Sequence, residues 1–402
     1  MNAGKGPLQG IKVIELCHVM AGPVCGLMLA DMGAEVIKVE KLPSGDDTRR
    51  TVPPKIGDEA AAFMMMNRNK RGIAVDLKTD DGRKILYRLL ETADVVTENY
   101  SRGTMERLGL GYDTLRQMNP RLIYCAISGF GRTGPYAGRG GFDLIAQGMS
   151  GLMSITGEGP GRPPVKVGAP ITDITAGILG AMGILAALNA RHRTGAGQMV
   201  DTSLFEAGIV QTYWQSAIAL ATGVAPGPMG SAHPLNAPYE AFETSDGWIN
   251  LGAANQATWL RTVELLGRPE LASDERFREA SGRLTHRVEL AQELAHEFRK
   301  RTSAEWLAAL EQAKVPAGPV FDVLQMHADP QTQARNMVVE VSHTTAGNVK
   351  TLGVPVKFSA TPGGVHRSAP IFGEHSAEVL REYGYSDAEI ARMAAARAIH
   401  CA

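Results

Sequence analysis

Residues Ile11–Glu40 read IKVIELCHVMAGPVCGLMLADMGAEVIKVE. Ile11–Leu16 is a short strand pattern. After HVMAGP, a run through Leu29 reads as a helix, and Ala34–Glu40 is a second strand. Strand, glycine-containing turn, helix and strand form a βαβ unit, which requires a parallel sheet and places the chain in the α/β class. The turn lacks GxGxxG, which argues against a nicotinamide or flavin dinucleotide. No GxxxxGK[ST] phosphate loop occurs either.

Working outward, Gly72–Leu77, Asp94–Glu98 and Leu122–Ser128 are further strands, with an amphipathic helix over Asp80–Thr92 carrying Ile85, Leu86, Leu89 and Leu90 on one stripe. In an open α/β sheet, ligands gather at the carboxyl ends of the strands. Here those ends carry His18–Pro23, Asn99–Ser101 and Gly129–Asp143, the last with six glycines over Gly129–Gly141. The long connection Lys41–Lys70 is locally basic through Arg49, Arg50, Arg68, Lys70 and Arg71. It is either a solvated surface or an anion site for a phosphate-bearing ligand.

In Pro163–Ala207 one carboxylate, Asp173, sits between a Gly/Pro-rich loop and the uncharged run Ile174–Leu188. Fifteen residues span about 22 Å as a helix, short for a membrane, and a helix apolar all round reads as buried in a globular core. Thr172 or Asp173 is a natural N-cap, and Gly195 a natural stop. Asp173 is therefore either a capping residue or a carboxylate nucleophile, and position alone leaves both open.

The 402 residues suggest two or three domains. A formal net charge of −1 gives no general case for nucleic acid or an acidic membrane surface. Cys17, Cys25, Cys125 and Cys401 lack CxxC spacing, so neither a disulfide framework nor a zinc site is expected, and a reducing cytoplasm fits. The N-terminal stretch has no apolar signal core, and no apolar run reaches membrane length. HExxH, GxSxG and metal-spaced clusters are absent, so no metal is expected. Composition shifts at Thr222–Pro238, a Gly/Pro-rich linker or mobile loop. A hairpin over Tyr239–Ala253 and helices near Ala257–Leu266, Arg287–Lys300 and Ser303–Ala313 follow. This reads as a smaller α+β domain over 222–329, with 1–221 and 330–402 forming the larger one. Met337–Val341 and Thr351–Val356 are expected to pair.

Six segments together resemble the family III CoA-transferases: VIELCHVMAGPVCGLMLADMGAEVIKVEKLPSGDDTR, NRNKRGIAVDLK, DVVTENYSRGTMERLGLGYDTL, ISGFGRTGPY, DITAGILGAMGILAALNARHRTGAGQMVD and APIFGEHSAEVL. The resemblance covers essentially the whole chain, in order. It implies a Rossmann-like large domain built from both chain ends, a smaller domain from the middle, and an interlocked homodimer. It implies acyl-CoA and a carboxylic acid as substrates. It also implies Asp173 as covalent nucleophile, through an aspartyl–acyl anhydride and an aspartyl-CoA thioester. By position, the resemblance assigns coenzyme A contacts to Val19, Met20, Ala21, Lys41, Val75, Lys78, Asn99, Tyr100, Ser101, Arg107, Arg139, Gly140 and Asp143. It gives the basic stretch Arg68–Arg71 a purpose, the phosphates of CoA.

Two departures from the family narrow the reaction. Formyl-CoA transferase has glutamine where this chain has Met20, and a tetraglycine loop where this chain has Gly227-Pro228-Met229-Gly230-Ser231, which argues against oxalate as acceptor. The related 2-methylacyl-CoA racemases have GHD where this chain has Gly141-Phe142-Asp143, and Phe142 cannot move a proton. The segment Gly230–Pro238 with YEAFETSDG resembles the succinyl-CoA-dependent dicarboxylate transferases. His18, Gly230, Ser231 and His233 are then the candidates to meet a second carboxylate, with the loop around His233 closing over Asp173. A racemase and a non-catalytic CoA-binding protein are the alternatives.

Overall fold

Strand β1 (Lys12–Leu16) is the centre of a seven-stranded sheet in the computed structural model, which describes residues 6–402. Its pattern alternates: Ile14 and Leu16 enter one buried cluster, Val13 the cluster on the opposite face. Helix α1 (Ala21–Asp31) leads to β2 (Glu35–Lys41), paired parallel with β1. Next come β3 (Lys70–Val75), helix α2 (Asp80–Glu91) capped by Thr79, and β4 (Val95–Glu98). Strand β5 (Ile123–Ser128), α3 (Asp143–Met149), α4 (Ile171–Thr194), β6 (Met199–Ser203) and α5 (Leu204–Ile209) complete the succession up to the middle of the chain. Strand β7 (Ile399–His400) adds to the edge from the other chain end.

The sheet order is β7-β3-β2-β1-β4-β5-β6, parallel throughout except β7. The succession moves outward from β1 to β3, then resumes on the other side at β4. The carboxyl ends of β1 and β4 therefore flank the crevice where the order reverses, the place where α/β sheets bind ligands. Asn99, just past β4, spans it: its side chain accepts from the His18 N–H at 2.9 Å and donates to the His18 carbonyl at 2.7 Å.

Helix α4 runs 24 residues, well beyond the uncharged fifteen. By length and composition it could cross a membrane, which corrects the expectation that no apolar run is long enough. Here it is a core helix. Gly177 and Gly180 lie against α1 and β5. A Cβ at Gly177 would stand 2.6 Å from the Ala21 carbonyl, and one at Gly180 2.9 Å from Ile127 Cδ1. Arg191 is buried and pairs with Asp94 at 2.7 Å. Gly195 ends the helix at φ 72°, as its position suggests. The helix is not buried all round, however: Ile178 and Met182 are 47% and 59% exposed.

The basic connection after β2 is not an open anion site. Arg68 is buried on Asp31 at 2.6 Å, and Lys70 is buried on Glu15 at 2.8 Å. Arg49 is paired with Glu40 at 2.7 Å, and Arg71 with Glu35, Glu378 and Glu382. These cations serve the protein's own carboxylates, so the phosphate role expected for Arg68–Arg71 is corrected. Strand β3 begins two residues before the expected Gly72. The hairpin near the C-terminus pairs Val338–His343 with Gly347–Leu352, its second strand lying four residues earlier than the expected Thr351–Val356.

The chain divides into two compact units, one of residues 6–152, 167–211 and 330–402, the other of 153–166 and 212–329. The second therefore takes in residues 153–166 and the helix Tyr213–Thr222, which the composition shift at Thr222 had left with the first. In the second unit the hairpin Tyr239–Glu243 with Trp248–Gly252 forms around Ser245-Asp246-Gly247, and Ala317–Pro319 adds a third strand. Phe242, Trp259, Phe298 and Trp306 fill its core.

Candidate active site

The β1–α1 turn, the stretch after β4, the glycine-rich loop after β5 and the first turn of α4 enclose a cleft of about 290 Å³ in the first unit. His18, Val19, Met20 and Ala21 line one side, Asn99, Tyr100 and Ser101 another. Arg139, Gly140, Phe142 and Asp173 complete it. Glycine is required where the loop closes on itself: a Cβ on Gly141 would stand 2.5 Å from Gly129 Cα. Residues Ala21 and Gly22 open α1, and the first N–H groups of a helix have no partner inside it, which suits an anionic group.

Asp173 lies in the first turn of α4 but is not its cap. The N-cap position is Pro170, whose side chain has no hydrogen-bonding group. Asp143, from α3, supplies the cap instead. It accepts from the Thr172 N–H at 3.0 Å and the Thr172 hydroxyl at 2.8 Å, and Gln147 donates to its other oxygen at 2.7 Å. The carboxylate of Asp173 has no hydrogen bond or ion pair among the described residues. Burial, and then the like charge of Asp143, push its pKa up to about 6. Thr172 and Asp173 as caps are thus corrected.

This arrangement gives a pH test. A carboxylate nucleophile works only when ionised, so activity that depends on Asp173 should fall as pH drops through about 6. Asp143→Asn removes the like charge but not the burial. The acid limb should move to lower pH while staying above the ordinary carboxylate range. An unmoved or raised limb in the pH–rate profile would break the link between the two carboxylates.

Other expected site residues stand apart from this cleft. Lys41 pairs with Asp47 at 3.0 Å outside it. Val75, the last residue of β3, is buried in the core, and Lys78 and Arg107 are not among the lining residues. Asp143 reaches the site through α4 rather than by lining the cleft. Gly230, Ser231 and His233 belong to the second unit. There His233 is packed between Trp214 and Tyr239, with ring centroids 5.6 and 5.2 Å away, and its Nδ1 accepts from the Leu235 N–H at 3.1 Å. Ser231 accepts from the Ala241 N–H at 3.0 Å.

The sequence reading passed over Arg132 and Arg102, which also line the cleft. Arg132 is committed to Glu98 and Glu106. Among the described residues, Arg102 and Arg139 are the lining arginines without a carboxylate partner. The Arg139 guanidinium lies 4.2 Å from the Tyr136 ring. The signal available was an arginine inside each loop at a strand end. His18 is partly committed, its Nδ1 3.3 Å from Asp47. No group of three or more His, Cys, Asp or Glu among the described residues could hold a metal ion.

A Rossmann-type sheet thus carries, at its switch-point cleft, an unbonded carboxylate whose pKa is raised chiefly by burial. A family model described as CoA-transferase family III matches residues 8–376, and the chain belongs to that family of enzymes, whose substrate is CoA in acyl-linked form. It is 44% identical over 384 residues to a succinate–glutarate CoA-transferase of Agrobacterium fabrum, covering 94% of this chain and 96% of that one. It is 40% identical over 395 residues to a succinyl-CoA:mesaconate CoA-transferase of Haloarcula hispanica, covering 94% and 97%. A crystal structure of a CAIB/BAIF family protein from Brucella suis superposes with a TM-score of 0.84 at 41% identity, covering 94% of this chain and all of that one.

Proposed function

We propose that this enzyme moves CoA from succinyl-CoA to a dicarboxylic acid, with Asp173 as the covalent nucleophile. The observation that carries the reading is the freedom of Asp173: Asp143 has taken over the cap, so the carboxylate is left unbonded in the cleft. The names of the relatives support the donor and the acceptor class.

In this mechanism an Asp173 oxygen attacks the succinyl thioester carbonyl, and the C–S bond breaks to give an aspartyl–succinyl anhydride and CoA thiolate. The thiolate attacks the aspartyl carbonyl, giving an aspartyl-CoA thioester and free succinate. The acceptor carboxylate attacks that thioester, forming a second mixed anhydride and releasing the thiolate. Attack of the thiolate on the acceptor's acyl carbon gives the new acyl-CoA and restores the Asp173 carboxylate. No net proton is consumed. A raised pKa makes the carboxylate more basic and a better nucleophile, while it remains ionised above about pH 6. A site shielded from water protects both anhydrides. Phe142, 73% exposed in the cleft wall, offers no proton and disfavours a racemase.

A distal carboxylate needs a cation or donor, because an unpaired buried charge is costly. Arg139 is the first-unit candidate, and His233 with Ser231 remain the candidates of the second. With succinyl-CoA and a panel of acids, dicarboxylates should yield new acyl-CoA and monocarboxylates of similar length much less. Arg139→Met should raise the KM for the dicarboxylate by roughly 10- to 100-fold, a charged hydrogen bond contributing about 1.5–3 kcal/mol. Equal, small losses for both acid classes would remove Arg139 from this role. A wild-type preference for monocarboxylates would remove the dicarboxylate reading.

The interlocked homodimer and the cytoplasmic setting belong to the same proposal. Ile178 and Met182 in the first unit, and Tyr213, Trp214 and Leu220 in the second, are exposed apolar side chains suited to a second copy. A solution mass equal to one chain would refute the dimer. The four cysteines are free thiols, three of them buried, which fits a reducing compartment.

A further inference from the structure

Glu15, Lys38, Lys70 and Asp46 lie under the β1–α1 connection at 0–2% exposure. Lys38 and Lys70 converge on Glu15 at 3.1 and 2.8 Å, and Lys38 also meets Asp46 at 2.9 Å. A buried ionic cluster of this kind is weak support for stability, since apolar side chains of like volume often do as well. Apolar side chains cannot, however, hold backbone polar atoms. Lys38 donates to the Cys17 carbonyl and Lys70 to the Pro23 carbonyl, each at 2.8 Å, while Asp46 accepts from the Val19 N–H at 3.0 Å. These three contacts bracket the cleft wall. Helix α1 is shaped around the cluster, since a Cβ on Gly26 would stand 1.7 Å from Glu15 Oε2.

Val19 itself is the second observation. Its φ is 67°, a left-handed conformation that β-branched residues rarely adopt. The residue is 38% exposed, so burial does not account for the conformation. Backbone strain of this kind persists only where the surroundings impose it, and it concentrates at functional sites.

We propose that the Glu15–Lys38–Lys70–Asp46 cluster is a positioning device, which fixes the ligand-facing backbone His18–Gly22 by holding Val19 left-handed. The inference rests on the reading of this cleft as the acyl-CoA site. A connection free to relax would have to be reordered on binding, so loss of the anchor should appear in CoA affinity. Asp46, Lys38 and Lys70 act through the backbone and are positioning residues, not catalytic ones.

The test titrates CoA alone into the full-length protein by calorimetry, which separates binding from chemistry. Asp46→Ala should weaken binding by roughly tenfold, and Asp46→Asn by less, because the amide oxygen can still accept from the Val19 N–H. Val19→Gly decides whether backbone conformation is the cause, since glycine adopts positive φ freely. In the otherwise wild-type protein it should weaken CoA binding, by adding freedom that binding must remove. In the Asp46→Ala protein it should instead strengthen binding. A role in stability alone predicts no such reversal, and additive effects would overturn the proposal. Should Asp46→Ala not fold, the same reversal, in smaller measure, is expected with Asp46→Asn, and additivity there overturns it equally. Full CoA affinity in Asp46→Ala would remove the positioning role while leaving the acyl-CoA reading in place. A wild-type protein that does not bind CoA would remove both.

Discussion

Asp173→Asn should abolish CoA transfer and, at neutral pH, stabilise the fold. The loss should exceed about 10³-fold, a barrier increase of about 4 kcal/mol, because an amide cannot form the anhydride. The gain in stability follows from the same environment. Burial and Asp143 raise the folded-state pKa of Asp173 to about 6 from 3.8. Between these values the folded protein binds more protons than the unfolded chain, so stability falls as pH rises through that window, and the full cost persists above it. Removing the charge recovers stability on the order of 1–2 kcal/mol after allowance for solvent screening. Thermal unfolding at pH 7.5, beside a transfer assay, reads both effects. Transfer surviving within about tenfold would sink the nucleophile, a barrier change of only about 1.4 kcal/mol. Hydroxylamine should trap the wild-type enzyme with acyl-CoA at Asp173, and a hydroxamate elsewhere would be equally damaging. A variant less stable than wild type would mean that the carboxylate does structural work.

Glu15→Gln should be among the most destabilising single changes in the first unit. Glu15 is fully buried and is the carboxylate on which Lys38 and Lys70 converge. Breaking a buried pair from one side typically costs about 3–5 kcal/mol, since a charge is left uncompensated. Lys38 keeps Asp46, but Lys70 keeps only the Pro23 carbonyl and Asn67. Burial already lowers the Lys70 pKa, with Glu15 opposing that shift. Without Glu15 the pKa should fall further, so the folded variant binds fewer protons than its unfolded chain. Its stability should therefore rise with pH, from the depressed folded value up to the ordinary lysine range. Urea unfolding between pH 7 and 10 would show the deficit shrinking. A deficit under about 1 kcal/mol, or one that does not change with pH, would show that the cluster tolerates the loss.

Much of the first unit was legible because its signals are local. The alternation of Ile11–Leu16 and Ala34–Glu40 around an apolar run forces a parallel βαβ unit, and the glycines of Gly129–Gly141 announce a close-approach loop. Less legible was the fate of charge. Arg68, Lys70 and Arg71 look like an anion site in sequence, because the carboxylates that neutralise them are distant along the chain, up to Glu382. Glu15 and Lys38 did carry a signal, as charged residues on the inward face of strand patterns, although only packing shows that they point at each other.

The sequence by itself determined the strand–helix succession, the strand ends where a ligand gathers, and, through its motifs, the family. It could not decide what Asp173 does. An aspartate in the first turn of a helix looks the same whether it caps the backbone or faces a ligand. The choice depends on Asp143, thirty residues earlier, whose carboxylate reaches Thr172 only once α3 packs beside α4. That single tertiary contact satisfies the helix end and leaves the Asp173 carboxylate unbonded.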